Sequence, residues 1–224
     1  MKITVGIRRS TLSQKQFEEI VALIRPFTPH LEFEPVLVET IGDRSLQESL
    51  RDKDKTDFFT RDIDRLQLEG GCRLAVHSAK DLPDPLPKGL KLIALTKGQD
   101  PSDSLVFREG ETLETLPPGA RIGSSSKRRD KMILKMRGDL LCVEVRGTIE
   151  MRLRFLEEKA VDGLVLAEAA LIRLGLNPSR IKLPGVAAPL QGKLAIIAKE
   201  DDHEMATLFS SIDQDVPCQK QHSI

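Results

Sequence analysis

Two short polar turns carry the residues best suited to chemistry. Residues 73–83 read Arg-Leu-Ala-Val-His-Ser-Ala-Lys-Asp-Leu-Pro, so Ser78, Lys80 and Asp81 follow directly on the apolar run Leu74 to Val76. Such a run is the signature of a buried strand, and ligands of open α/β sheets bind just beyond the carboxyl ends of strands. A hydroxyl, an ammonium and a carboxylate placed there can meet one substrate together. The same pattern also fits a capped strand-to-loop turn carrying solvated charges. Residues 119–129 read Gly-Ala-Arg-Ile-Gly-Ser-Ser-Ser-Lys-Arg-Arg. Ser124, Ser125 or Ser126 can cap the helix that follows, whose free N–H groups and dipole favour an anion. Arg128 and Arg129 add planar forks suited to carboxylates or phosphates.

The elements that must position these turns can be followed along the chain. Residues 2–7 predict a strand, with Arg8-Arg9-Ser10 as the turn after it, and Ser10 or Thr11 as the cap of a helix. Phe17, Ile20, Val21 and Ile24 have the spacing of that helix, which stops at Arg25-Pro26. Residues 31–38 predict the next strand, and strand, helix and strand within this length imply a parallel βαβ unit. Residues 41–57 are charged and weakly patterned and are expected to form a mobile surface loop. Phe58 to Leu68 then predicts a helix ending near Gly70-Gly71. Leu90 to Leu95 predicts a strand, and the turn-rich stretch 98–103 a crossover between domains. A second strand–helix series follows: a strand end at 121–123, a helix at 127–136 and a strand at 140–145. Thr148 caps a helix over 149–159, then come a buried strand at 163–167, a helix at 168–174 and a strand at 192–199. The tail, 201–224, holds one short helical run and a polar end.

Composition excludes several classes. The 224 residues carry 34 Lys and Arg against 34 Asp and Glu, so no overall field draws the chain to nucleic acid or to a membrane. The balance is locally broken over 121–138, where seven basic residues face Asp130 alone, pointing to a small anionic ligand. Trp and Tyr are absent, which leaves little to stack on bases. No run approaches membrane-spanning length, and the start has no signal-peptide core. The three cysteines, Cys72, Cys142 and Cys218, have no metal spacing, so no metal is expected and a cytosolic setting is.

The HSAKDLP and GSSSKRR segments, with Arg8-Arg9-Ser10, Arg146-Gly147-Thr148 and the stretch 162–175, stand in the order and spacing of the porphobilinogen deaminase (hydroxymethylbilane synthase) family, which the chain resembles from about residue 2 to about 199. The resemblance implies two similar α/β domains with central mixed sheets, like a type II periplasmic binding protein, joined by two crossovers around a cleft. Domain 1 would take 1–97 plus 190–212 and domain 2 would take 98–189, with 213–224 a polar tail. It also implies a transferase that joins four porphobilinogen molecules head to tail into hydroxymethylbilane, releasing ammonia. Asp81 matches the family's catalytic aspartate; Asp84 and Asp43 are alternatives. Arg8, Arg9, Arg128, Arg129, Arg146 and Arg152 would meet the polyanionic chain, and Lys80 a substrate carboxylate. Ser10, Ser78, Ser124, Ser125, Ser126 and Thr148 would add donors. The expected partners are porphobilinogen and the growing polypyrrole, with no nucleic acid or membrane, and a monomer is expected.

The sequence departs from that family in three places. The family's dipyrromethane cofactor is held by a thioether to a cysteine in a third, C-terminal domain, which is expected to be absent here; Cys218 is the attachment expected if the cofactor is kept. The lid usually rich in Gly and Lys is Asp-Lys-Asp-Lys-Thr-Asp at 52–57, and Leu190-Gln191-Gly192 stands for a Gly-Gln-Gly turn. The alternative function is a catalytically impaired tetrapyrrole- or small-anion-binding protein on the same fold. A regulator or transport component for another small anion rests on fold analogy alone.

Overall fold

The computed structural model describes residues 2–45, 49 and 57–214. The chain opens with strand β1 (Lys2–Arg8), helix α1 (Thr11–Ile24) and strand β2 (Glu32–Val38), which pairs in parallel with β1. Ser10 caps α1 by accepting the Ser13 N–H at 3.3 Å. Then come the four-residue helix α2 (Ile41–Arg44), a 3₁₀ turn at Asp57–Phe59, helix α3 (Arg61–Leu68), strand β3 (Leu74–Ser78), a 3₁₀ turn at Ala79–Asp81 and strand β4 (Leu90–Leu95). The second half runs β5 (Asp103–Val106), β6 (Arg121–Ser124), α4 (Lys127–Met136), β7 (Leu141–Glu144), α5 (Ile149–Glu157), β8 (Gly163–Ala167), α6 (Glu168–Leu174) and β9 (Arg180–Lys182). Strand β10 (Leu194–Lys199) and helix α7 (His203–Phe209) complete it.

Among the described residues ten strands form two five-stranded mixed sheets, ordered β2-β1-β3-β10-β4 and β7-β6-β8-β5-β9. The two orders correspond strand for strand. In each sheet one inner strand, β10 or β5, runs antiparallel to its neighbours, and it is the strand that follows a crossing from the other sheet. The crossings touch: the Gln99 N–H donates to the Gly192 carbonyl at 3.0 Å, and a Cβ on Gly192 would lie 2.3 Å from the Gln99 carbonyl oxygen. Gly192 also has φ +89°, so glycine is required there twice over.

Apolar faces bury against each sheet. Ile3, Val5, Ile20, Ile24, Ile196, Met205 and Phe209 make the core between the first sheet, α1 and α7. The second sheet is covered on one face by α4 through Met132 and Ile133, and on the other by α5 and α6 through Leu156 and Leu171. The strands β3, β8 and β10 are buried almost end to end, as expected of strands covered on both faces.

Three expectations from the sequence need correction. The stretch 41–57 begins with a short helix, because Asp43 accepts the Thr40 N–H at 3.0 Å and the Thr40 hydroxyl at 2.8 Å, while Asp62 accepts the Ile41 N–H at 2.6 Å. The rest of the expected lid, 46–48 and 50–56, lies outside the described residues. The helix expected from Phe58 is divided by Thr60 into the 3₁₀ turn and α3. Strands β5 and β9 were not foreseen, since β9 has three residues and β5 begins with two polar ones, Asp103 and Ser104.

Candidate active site

The carboxyl ends of β1, β3, β6, β7 and β8 all point into the space between the sheets, and a cavity of about 300 Å³ lies there. From the first sheet it is lined by Arg8 at the end of β1 and Ser10 just after it, and by Ser78 at the end of β3 with Lys80 and Asp81 just after it. From the second come Ser125 and Arg129 after β6, Arg146 and Thr148 after β7, and Arg152 on α5. Two adjacent strand–turn segments from each half therefore supply the polar wall.

Several side chains are held before any ligand arrives. The Gln16 amide donates to the Ser78 hydroxyl at 2.8 Å. Arg8 forms a two-pronged ion pair with Asp43, and its guanidinium carbon lies 4.3 Å above the Phe59 ring centroid. Burial would raise the Asp43 carboxyl, but the Arg8 hydrogen bond and charge, with the Thr40 bonds, outweigh it and hold the group below its usual range. Arg129 donates to Asp103 at 3.1 and 2.6 Å and to the Ser125 hydroxyl at 3.3 Å. The Asp103 side chain is fully buried. Arg152 donates to the Gly147 carbonyl at 2.9 Å, and Arg146 to the Gly42 carbonyl at 3.4 Å. The latter bond joins the second half of the chain to α2.

Positive charge accumulates beyond what these carboxylates offset. Burial, then the charges of Arg129 and Arg152, pushes the Lys80 ammonium down to about 8, with Asp81 and Asp103 acting the other way. Burial, followed by Arg129, Arg146 and Arg8, pushes Arg152 down to about 10. Both cations hold their protons less firmly than in water, so an anion placed beside them would restore that affinity.

Not every expected residue reaches the cavity. Arg128 turns away, donating to Asp103 at 2.5 Å and to the Val186 carbonyl at 2.9 Å. Ser124 is buried with its hydroxyl on the Ser126 carbonyl, and Ser126 caps α4 through the Arg129 N–H at 3.3 Å. Thr148 both lines the cavity and caps α5. Of the alternatives to Asp81, Asp43 lines the cavity as the partner of Arg8, and Asp84 is exposed outside it. Cys218 lies outside the described residues. Cys72 is buried, and burial pushes its thiol up to about 11. Sequence reasoning passed over Gln16, Phe59 and Asp103, and noted Gln191 only as part of the 190–192 turn that departs from the family's Gly-Gln-Gly.

Comparison with known proteins decides the family. A family model described as porphobilinogen deaminase, dipyromethane cofactor binding domain, matches residues 3–207. The chain belongs to the porphobilinogen deaminase family. Porphobilinogen deaminase of Pelotomaculum thermopropionicum is 39% identical over 219 residues, covering 95% of this chain and 69% of that protein. The Clostridioides difficile porphobilinogen deaminase is 37% identical, over 95% of this chain and 72% of its own length. Among solved structures, the methionine-binding protein MetQ aligns with TM-score 0.60 at 13% identity over 96% of this chain and 91% of its own. A periplasmic substrate-binding protein from Coxiella burnetii aligns with TM-score 0.57 at 15% identity, over 94% and 91%. These two likenesses establish the type II binding-protein fold of this porphobilinogen deaminase family member and nothing about its ligand. Among the described residues, no helix is long and apolar enough to cross a membrane.

Proposed function

We propose that the cleft between the two sheets condenses four porphobilinogen molecules head to tail into hydroxymethylbilane, the reaction of the family, with residues 1–97 plus 190–212 and residues 98–189 as its two walls. The observation that carries this reading is the cavity itself, which Arg8, Lys80, Arg129, Arg146 and Arg152 line together with Asp81. Each porphobilinogen brings an acetate and a propionate, and a growing chain multiplies that charge. A site with an excess of fixed cations suits it, because bidentate guanidinium–carboxylate bonds are strong and directional.

The same excess suits the family's dipyrromethane, whose rings bear the same carboxylates. Arg129, Arg146, Arg152, Lys80 and the hydroxyls of Ser10, Ser78, Ser125 and Thr148 would hold it. When bound, it supplies the free pyrrole carbon at which the first porphobilinogen is joined.

In each condensation the aminomethyl C–N bond of porphobilinogen breaks and ammonia leaves. A new C–C bond forms to a pyrrole carbon, which then loses its proton. After four such steps one water adds to the terminal methylene carbon as the chain is released, so that four porphobilinogen and one water give hydroxymethylbilane and four ammonia. Electron density is drawn from the pyrrole nitrogen as ammonia departs, so positive charge develops on that N–H. Asp81, at the end of the 3₁₀ turn after β3, presents the carboxylate to stabilise it and to accept a proton. Lys80 and Arg152 orient the acid side chains, and Arg8 exchanges Asp43 for a ligand carboxylate.

Incubation of the purified chain with porphobilinogen tests the reading. Ammonia release that tracks porphobilinogen loss, with a linear tetrapyrrole as product, is expected. Binding of porphobilinogen with no ammonia released would overturn it in favour of a tetrapyrrole- or anion-binding protein.

A further inference from the structure

Gln191 is buried at the point where both crossings between the sheets meet, and it does not line the cavity. Its side chain is polarised by its neighbours. The Oε1 atom accepts from the Lys80 ammonium at 3.1 Å. The Nε2 atom donates to the Pro101 carbonyl at 2.6 Å, to Asp103 Oδ1 at 2.9 Å and to the Ser102 carbonyl at 3.4 Å. Lysine only donates and the three other partners only accept, so the amide orientation is dictated by chemistry. Asparagine is one methylene too short for the span. Glutamate would set a second oxygen against three acceptors.

The contacts extend into both walls. Asp103 Oδ1, which receives the Gln191 amide, also receives Nε and Nη2 of Arg129. An unbroken run of hydrogen bonds therefore links Lys80 in the first wall to Arg129 in the second. Its middle member is anchored by its own backbone, through the Gln191 N–H on the Ala188 carbonyl at 3.1 Å. Arg173 on α6 steadies the same turn, donating to the Gly192 carbonyl at 2.7 Å while paired with Glu19 of α1 at 2.8 Å.

We propose that Gln191 is a positioning residue for the substrate cleft, holding the Lys80 ammonium and the Asp103–Arg129 pair at a fixed separation so that cations from the two walls meet the ligand's carboxylates together. The inference deepens the proposed function and rests on it for the ligand. The Lys80 contact itself is independent of any ligand.

The test compares wild type with Gln191→Met, which keeps the length and loses every side-chain hydrogen bond, and with Gln191→Glu. The first readout is the pH dependence of Lys80 reductive methylation by formaldehyde and borohydride, mapped by peptide mass spectrometry. The charged groups facing Lys80 are Asp81 on its own turn, Asp103, Arg129 and Arg152, and these stay constant across the variants. Wild type should show a half-point near 8. Gln191→Met should move it down, because the ammonium loses its acceptor. Gln191→Glu should move it up by about one unit, because a carboxylate takes the acceptor's place. The second readout is porphobilinogen kinetics, where Gln191→Met should raise KM about tenfold, the share held by a hydrogen bond to a charged group, with a smaller change in kcat. Far-UV circular dichroism melting checks folding in each variant. Opposite shifts in the two folded variants support the proposal. An unchanged Lys80 half-point in either folded variant, or an unchanged KM in an active Gln191→Met enzyme, overturns it. If one variant fails to fold, the shift in the other decides. The methylation profile is read with or without turnover, so an inactive wild type would count against the proposed reaction and leave the positioning role to be judged on Lys80.

Discussion

Replacing Asp81 with Asn removes one charge and almost no volume, and two consequences follow from the geometry. The first concerns the rate. A group aimed at charge developing in a transition state is commonly worth 10²–10³ in kcat, and a positioned proton acceptor about 10²–10⁴. Asp81→Asn should therefore lose roughly 10³ in kcat. The side chain is only half-buried, at the end of a short turn, so the melting temperature should hardly move. The second consequence concerns pH. Lys80 is pushed down to about 8 chiefly by burial, and Asp81 is one of the two anions resisting that push. Below the Lys80 pKa the ammonium attracts a substrate carboxylate, and above it the attraction is lost. In wild type kcat/KM should fall as pH rises through about 8. In Asp81→Asn one counter-charge is gone, so the same fall should begin at lower pH. The assay follows porphobilinogen loss and ammonia release across the neutral and alkaline range, with a thermal melt on each protein. A variant that keeps more than about a tenth of the wild-type kcat would refute the catalytic role. A basic limb that stays in place would refute the electrostatic coupling to Lys80.

Two further predictions address the scaffold. Asp64 lies 3.7 Å from His77, one residue before Ser78, and burial pushes its carboxyl from 3.8 up to about 6. The folded state then binds the extra proton between those values, so this group's contribution to stability falls as pH rises through the window and its cost is complete above about 6. Burial pushes His77 the other way, from 6.5 down to about 4, so its contribution rises with pH over that range. Asp64→Asn should gain up to about 3 kcal/mol over wild type at neutral pH and less in acid, leaving the rising His77 slope exposed. Urea unfolding across acid to neutral pH measures this, and an equal gain at both ends would refute it. Gly42→Ala places a Cβ 2.3 Å from the Phe59 ring, which must shift off Arg8. Losing a partly exposed cation–π contact of about 1 kcal/mol should raise KM for porphobilinogen roughly fivefold, and an unchanged KM would refute the role of Phe59.

The first polar turn was legible because it follows the apolar run Leu74 to Val76 of a buried strand, and the second because its serines and arginines open a helix with a capping signal. Their convergence on one cavity was expected from the family resemblance alone, with no signal in the residue pattern. It depends on the antiparallel strands β5 and β10, which bring the two sheets' carboxyl ends face to face, and β5 begins with Asp103 and Ser104, both polar and both buried. Asp103 reads as part of a turn in the sequence; in the fold it is the fully buried anion that decides where Arg128 and Arg129 point. Adjacent arginines share that carboxylate yet part company, Arg129 lining the cavity and Arg128 also reaching the Val186 carbonyl. A helical periodicity cannot distinguish them, because the partners that hold them, Asp103 and Val186, lie far away in the sequence. The short α2 was hidden in a charged stretch because its stability comes from Asp43 and Asp62 bonding its first turn, with no apolar face to announce it.

The cleft divides its cations by the company they keep. Arg8 is matched by Asp43, and Arg128 and Arg129 share Asp103, so their cost of desolvation is offset within the protein. Lys80 is given an amide oxygen and Arg152 a carbonyl, and neither acceptor cancels a charge. That is why these two lose proton affinity while Asp43 and Asp103 stay firmly ionised. An arriving carboxylate gains most beside the cations left uncompensated and gains least where it must displace an internal one. Lys80 and Arg152 should therefore set affinity. Arg8, which must release Asp43 before it can bind, is suited to a step in which the ligand's charge moves through the cleft as the chain grows, and Gln191 keeps the two walls in register while it does.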